Sequence, residues 1–189
     1  MKALSGYPQW MWLLAKGWKD VENRHWKLPR TLQPLPVRIY LHASKHLEPW
    51  DNLWLAHNLL TLNQWADLRF VDWKQYKGAI IGEADILSCS YRFPDENDNL
   101  YSPWHMPGQF GFKMANPVLY DKPIPYKGQL RFFEVELPKP PVFLIPTDNG
   151  FQELRLCIKT PHSQALLEQP PLLYQKSRKS AQAPTRKLS

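Results

Sequence analysis

At 189 residues, with 43% hydrophobic and 13% aromatic side chains, the chain is long enough for one core-bearing domain with additions. No apolar run approaches the roughly 20 residues that span a bilayer, which argues against a membrane protein, and MKALSGYPQ lacks the apolar core of a signal peptide. The net charge of +7 invites a nucleic-acid partner, but five of those charges (Lys176, Arg178, Lys179, Arg186, Lys187) sit in residues 176–189, where there is no acid.

That tail reads as a disordered basic segment, serving either as sequence-independent phosphate attraction or as a solubilising end. Cys89 and Cys157 form no disulfide framework and no metal-like spacing, and read as buried thiols of a reducing, cytoplasmic protein. A Gly-rich phosphate loop, a G-x-S-x-G elbow and zinc spacing are all missing, so neither cofactor nor metal is expected.

In chain order, Lys2 to Tyr7 predicts a short strand. Pro8 suits the first turn of a helix whose buried stripe is Trp10, Leu13 and Leu14, ending at Gly17. A strand follows over Val21 to Trp26. Strand side chains alternate, so Glu22 and Arg24 share a face, with Lys19 just upstream. This base, acid and planar cation either grip a polar planar ligand such as a nucleobase or neutralise one another. The prolines of Lys27 to Pro36 forbid regular structure.

Val37 to Ala43 alternates as a half-buried strand, and His42, Ser44 and Lys45 lie where it ends. Asp51 is the expected N-cap of a helix running through Leu62, with His57 and Asn58 on its surface. Ala79 to Leu87 is the clearest strand. Its Glu83 and Asp85 share a face, either as an acid–base pair or as solvated charges. Residues 88–108 form a long loop in which Trp104 and His105 either meet a base or plug the mouth of a barrel. Gln109 to Ala115 is a strand ended by Asn116-Pro117, and Leu130 to Leu137 is another.

The prolines after Leu137 predict an extended linker or an edge-covering arm. Asn149-Gly150 marks a turn, Glu153 to Lys159 a further strand, and Ser163 the start of a short helix. The expected division is a domain over 1–137, a Pro-rich extension over 138–175 beside it, and the tail over 176–189. Short strands punctuated by Pro and Gly turns, with two or three helices, predict an α+β fold built on a small mixed β-barrel.

Gly17-x-Lys19-x-x-Glu22-x-Arg24-x-Trp26 resembles the G-x-K-x-x-E-x-R pattern of the ASCH (activating-signal-cointegrator homology) family, a branch of the PUA-like barrels. Leu41-His42-Ala43-Ser44-Lys45, Gly78-Ala79-Ile80-Ile81-Gly82 and Ile124-Pro125-Tyr126-Lys127-Gly128 agree with it in order and spacing. Two places depart: Pro8-Gln9-Trp10 stands where the family reads Gln-Pro-aromatic, and Leu28 to Pro36 replaces a Tyr-Arg-Gly-Pro type turn. The resemblance implies a cleft for RNA, a nucleotide or a modified nucleoside. Lys19, Glu22, Arg24, Trp26, His42, Ser44, Lys45, Trp104 and His105 are its candidate residues.

Some relatives are amidohydrolases of N4-acetylcytidine, and a nuclease activity is attributed to one member. Their catalytic set is the lysine of this turn, a threonine three residues on and a distant glutamate. Lys19 matches the lysine, while Glu22 stands at the threonine position. In the binding reading Arg24 offers a donor fork, Glu22 accepts from an exocyclic amine, Trp104 or Trp26 stacks, and Lys19 and Lys45 hold phosphate. In the enzymatic reading Lys19 and Glu22 are catalytic. A third reading makes the Trp-rich surface and the Pro138–Pro146 arm a site for a protein partner.

Overall fold

In a computed structural model, residues 1–92, 95–96 and 98–137 are described, together with the backbone of 142–147 and 150–155. The chain divides into two units, Met1–Pro141 and Val142–Ser189. The first contains β1 (Lys2–Gly6), α1 (Pro8–Ala15), β2 (Val21–Arg24), β3 (Val37–Ala43), α2 (Trp54–Leu59), α3 (Leu62–Phe70), β4 (Ala79–Ser90), β5 (Phe110–Pro125) and β6 (Phe132–Glu134). In the second, β7 (Val142–Thr147) and β8 (Gly150–Arg155) pair antiparallel as a hairpin.

The first unit is α+β, as expected, but its sheet is a curled half-barrel rather than a full barrel. Six strands run in the order β2-β5-β4-β3-β1-β6, parallel between β1 and β3 and antiparallel elsewhere. Alternation along β1 and β3 sorts the side chains onto two faces. Leu4, Ile39 and Leu41 enter the main core with α1, while Ala3 and Tyr40 join a smaller cluster with Tyr120 and Phe133.

Helix α1 is not the one-sided helix that its Trp10/Leu13/Leu14 stripe predicts. Met11, Leu13 and Leu14 are fully buried and Trp12 and Ala15 nearly so, whereas Trp10 stays partly exposed. Each fully buried side chain of this size stabilises by about 1.5–3 kcal/mol, which makes α1 the main plug of the curled sheet. Where hydrogen bonds do not join the edges, aromatic rings do. Trp26, just beyond β2, meets Phe112 of β5 at 5.4 Å and Phe132 of β6 at 5.6 Å between ring centroids, both edge-on.

Several local expectations are corrected. The single helix from Asp51 is a 3-10 turn over Trp50–Leu53 followed by α2, and Asp51 caps neither. A separate α3 starts at Thr61, whose hydroxyl accepts from Gln64 N at 3.2 Å while Gln64 Oε1 accepts from Thr61 N at 3.0 Å. Asn116 does not end a strand: it takes a positive φ of 47° and β5 continues to Pro125. Another 3-10 turn, Arg30–Leu32, sits in the proline-rich connection. Val142–Thr147 is a strand, not linker, and Cys89 is half-buried. The expectations for Pro138 to Pro141, for Cys157 and for the arm and tail beyond Arg155 lie outside the described residues. No helix among the described residues is long and apolar enough to cross a membrane.

Gly82 lies at a close approach of β4 to β5. A Cβ there would stand 2.1 Å from the Val118 carbonyl oxygen and 3.2 Å from Ala15 Cβ. Neither backbone can yield without disturbing α1, so Gly82→Ala is expected to lose about 1–3 kcal/mol, the range for overpacked cores. Urea unfolding measures it, and a midpoint equal to the wild type would contradict the packing.

Candidate functional site

The end of α1 sets the site. Gly17, at φ 72°, closes the helix: Gly17 N donates to Leu14 O at 3.0 Å and Trp18 N to Leu13 O at 3.0 Å. These are the paired bonds of a glycine-terminated helix, and a side chain at Gly17 would strain them. Lys19 N donates to the same Leu13 carbonyl at 3.1 Å, which turns the lysine back under the helix end. From there β2 carries Glu22 and Arg24 on one face, as alternation predicts.

Lys19 Nζ lies 2.5 Å from Glu22 Oε2, and Arg24 Nη2 lies 2.9 Å from Glu22 Oε1. The Lys19 and Glu22 side chains are only 3% and 7% exposed, against 21% for Arg24. One buried anion therefore serves two cations. Burial pulls the Lys19 amine below its ordinary value, Arg24 adds to the effect, and Glu22 opposes both without reversing them. Burial alone would raise the Glu22 carboxyl, but Lys19 and Arg24 together hold it below its ordinary range. Arg24 Nη2 also donates to the Ser5 carbonyl at 2.7 Å, tying edge strand β2 to β1.

Above these charges opens a cleft of about 550 Å³, within the range of small-ligand sites. Three tryptophans line it: Trp10, Trp26 and Trp54. Trp10 holds its ring over Lys19, 5.7 Å from Nζ to centroid, and its indole N–H donates to Glu48 Oε2 at 3.3 Å. Glu48 is fixed in turn. The buried Gln9 amide both donates to its carbonyl (2.9 Å) and accepts from its N–H (3.0 Å), while Asn52 Nδ2 donates to Oε1 at 2.7 Å. Trp54 is 56% exposed, and Arg131, which also lines the cleft, takes a positive φ of 64°.

Of the nine candidates, Lys19, Glu22, Arg24, Trp26 and Ser44 line this cleft. His42 and Lys45 do not. Strand alternation puts His42 on the face opposite Leu41, so it joins Lys45 and Ser44 in a second cleft. The His42 ring is buried and sits edge-on to Phe133. Its Nε2 lies 3.1 Å from the Tyr126 carbonyl, which can only accept, so Nε2 carries the proton and Nδ1 accepts from the Ser5 hydroxyl at 2.9 Å.

Trp104 and His105 lie elsewhere: both are buried, and neither lines either of these two clefts. The Asn23 amide clamps their loop, donating to the Trp104 carbonyl at 2.7 Å and accepting from Met106 N at 2.9 Å. Trp104 joins the main core, and His105 fills the space that Gly111 leaves beside it. Glu83 and Asp85 make no free acid pair either, because Arg38 reaches them at 3.1 and 3.0 Å.

Sequence reasoning missed Trp10, Glu48, Asn52, Trp54, Ser5 and Arg131 as cleft residues. Only Trp10 carried a signal, as the aromatic beside Gln9 at the end of the Pro8-Gln9-Trp10 run. No family model matches the chain, and a search of the curated proteins finds no match.

Two pH effects follow. Because the folded-state carboxyl of Glu22 lies below its ordinary 4.5, its stabilisation is present above that pH and is lost as pH falls through the folded value. Glu22→Gln is therefore expected to lose about 3 kcal/mol at neutral pH, the cost of stranding a buried partner. The deficit should shrink in urea titrations below that value, and a constant deficit would mean that no charge is involved. His42 is held below its ordinary 6.5 by burial, so acidification below 6.5 protonates the unfolded chain first and destabilises the fold. His42→Gln is expected to flatten this part of the stability profile.

Proposed function

We propose that this is an ASCH-type, PUA-like protein whose first cleft holds an everted base of RNA or a modified nucleoside. The observation that carries the reading is Glu22: a charged acceptor buried at 7% side-chain exposure in an aromatic-lined cleft, fixed by two cations. Each carboxylate oxygen keeps lone-pair capacity beyond the bond it already makes, so an exocyclic amine can donate to it. Arg24 bonds the protein through Nη2, and its donor fork extends beyond that nitrogen. Trp54, 56% exposed, offers a π-face at the cleft for stacking, whereas the Trp26 ring already holds the Arg24 and Arg131 guanidinium groups at 5.9 and 5.6 Å. This arrangement favours bases that carry an amine over uracil.

One observation favours amidohydrolysis of N4-acylated cytidine as the second reading. The Lys19 amine is buried against a carboxylate and depressed by burial, as an amine acting as base or nucleophile at neutral pH requires. The two readings separate in one experiment, in which the four nucleosides and N4-acetylcytidine are titrated and assayed for turnover. The binding reading expects saturable, amine-dependent affinity that Glu22→Gln lowers by about 1–3 kcal/mol, the range for a lost buried charged hydrogen bond. It also expects no turnover. Deacylation that disappears in Lys19→Met, with substrate still bound, would replace it by the enzymatic reading.

A further inference from the structure

The second cleft differs from the first in its chemistry. It lies along Ser44, Lys45 and His46 after β3 and along Tyr126, Lys127 and Gly128 before β6, and no carboxylate lines it. The first cleft has Glu22 and Glu48 among its lining residues. The two are neighbours, since Ser5, Ser44, Gln129 and Leu130 line both.

The walls of the second cleft are built rather than incidental. Gly78, at φ 67°, donates from N to the Ala43 carbonyl at 2.9 Å, and its carbonyl accepts from Tyr126 N at 3.0 Å. These bonds hold the two cationic loops side by side. A Cβ on Gly78 would stand 3.4 Å from Lys45 Cγ and 3.6 Å from Lys45 Cε, so the lysine stem lies along the glycine backbone. On the other side, Gly128 packs so tightly on the His42 ring that a Cβ would fall 2.3 Å from Cε1. Lys127, next to it, is exposed.

We propose that the second cleft is a phosphate subsite, in which Lys45 and Lys127 hold the phosphate adjoining the base bound in the first. The inference rests on the base-binding reading and names its ligand more closely, as a phosphorylated nucleotide rather than a nucleoside. Charge carries the assignment. A base edge offers donors and acceptors together and suits a site with both carboxylates and cations. A phosphodiester offers only acceptors and negative charge, and suits a cleft lined by cations, hydroxyls and glycine backbone. The residues common to both clefts place the two groups on one ligand. A point charge such as lysine suffices for phosphate, and it leaves base choice to the first cleft.

The test uses the full chain and the double variant Lys45→Gln/Lys127→Gln, with both substituted side chains exposed. Each protein is titrated with the four nucleosides, with their 3′- and 5′-monophosphates and with a labelled five-nucleotide single-stranded RNA. In the wild type the favoured monophosphate is expected to bind about tenfold more tightly than its nucleoside, a difference of about 1.4 kcal/mol. The double variant should lose that advantage and bind the nucleoside unchanged. Its log–log salt slope for RNA should fall by roughly 1.4, at about 0.7 per single-strand phosphate contact. RNA binding more tightly than the monophosphate would identify a strand as the ligand, and equal binding a mononucleotide. Nucleoside binding with no lysine-dependent gain from phosphate would overturn the subsite alone. Absence of nucleoside binding in the wild type would overturn the base cleft beneath it.

Discussion

The first unit is arranged around one carboxylate. Glu22 accepts from Lys19, which the end of α1 delivers, and from Arg24, which continues to the Ser5 carbonyl on β1. A helix end, an edge strand and an inner strand thus meet at one buried anion. β2 pairs only with β5 within the sheet, so this charge relay and the ring of Trp26 are its ties to the far side of the half-barrel. An edge strand of four residues depends on such side-chain closure, because its own ladder is short.

Much of this was legible because it is local. Period-two alternation put Glu22 and Arg24 on one face, and Gly17 at the end of an apolar helix signalled the turn that sets Lys19. What resisted reading depends on contacts distant in the chain. His42 looks like a partner of Lys19 from its place at a strand end, but its side chain lines the second cleft and not the first. Trp104 and His105 stand in a long polar loop, where exposure was a fair expectation. The Asn23 amide, 81 residues away from Trp104 in sequence, draws that loop inward. The split between α2 and α3 was readable in Thr61-Leu62-Asn63-Gln64, whose capping-box spacing stands in the middle of an apolar periodicity that hides it.

The surroundings of the cleft show how its parts are held. Trp10 is oriented by its indole bond to Glu48, and Glu48 by the Gln9 amide and Asn52. These bonds link α1 to the segment before α2, so the aromatic wall is fixed to the same helix that positions Lys19. The Asn23 clamp does likewise on the other side of β2. Side chains locked by a second layer of bonds lose less entropy when a ligand arrives, which converts more of each contact into affinity.

Stability alone does not explain the trio at the floor. Removing two cations and an anion from water costs several kcal/mol per ion, and well-packed apolar residues of similar volume are often as stable or more so. Lys19 illustrates the cost, its amine depressed because one carboxylate shared with Arg24 cannot offset its burial. Another charged cluster of the sheet behaves differently. Arg38 faces two carboxylates, so Glu83 and Asp85 leave it raised above its ordinary value despite burial. Arg38 has two anions for one cation, whereas Glu22 has two cations for one anion and a cleft beside it. Glu22 and Glu48 both line that cleft, so its charges are mixed: the carboxylate oxygens keep lone pairs for a donor, and the Arg24 fork keeps donors for an acceptor.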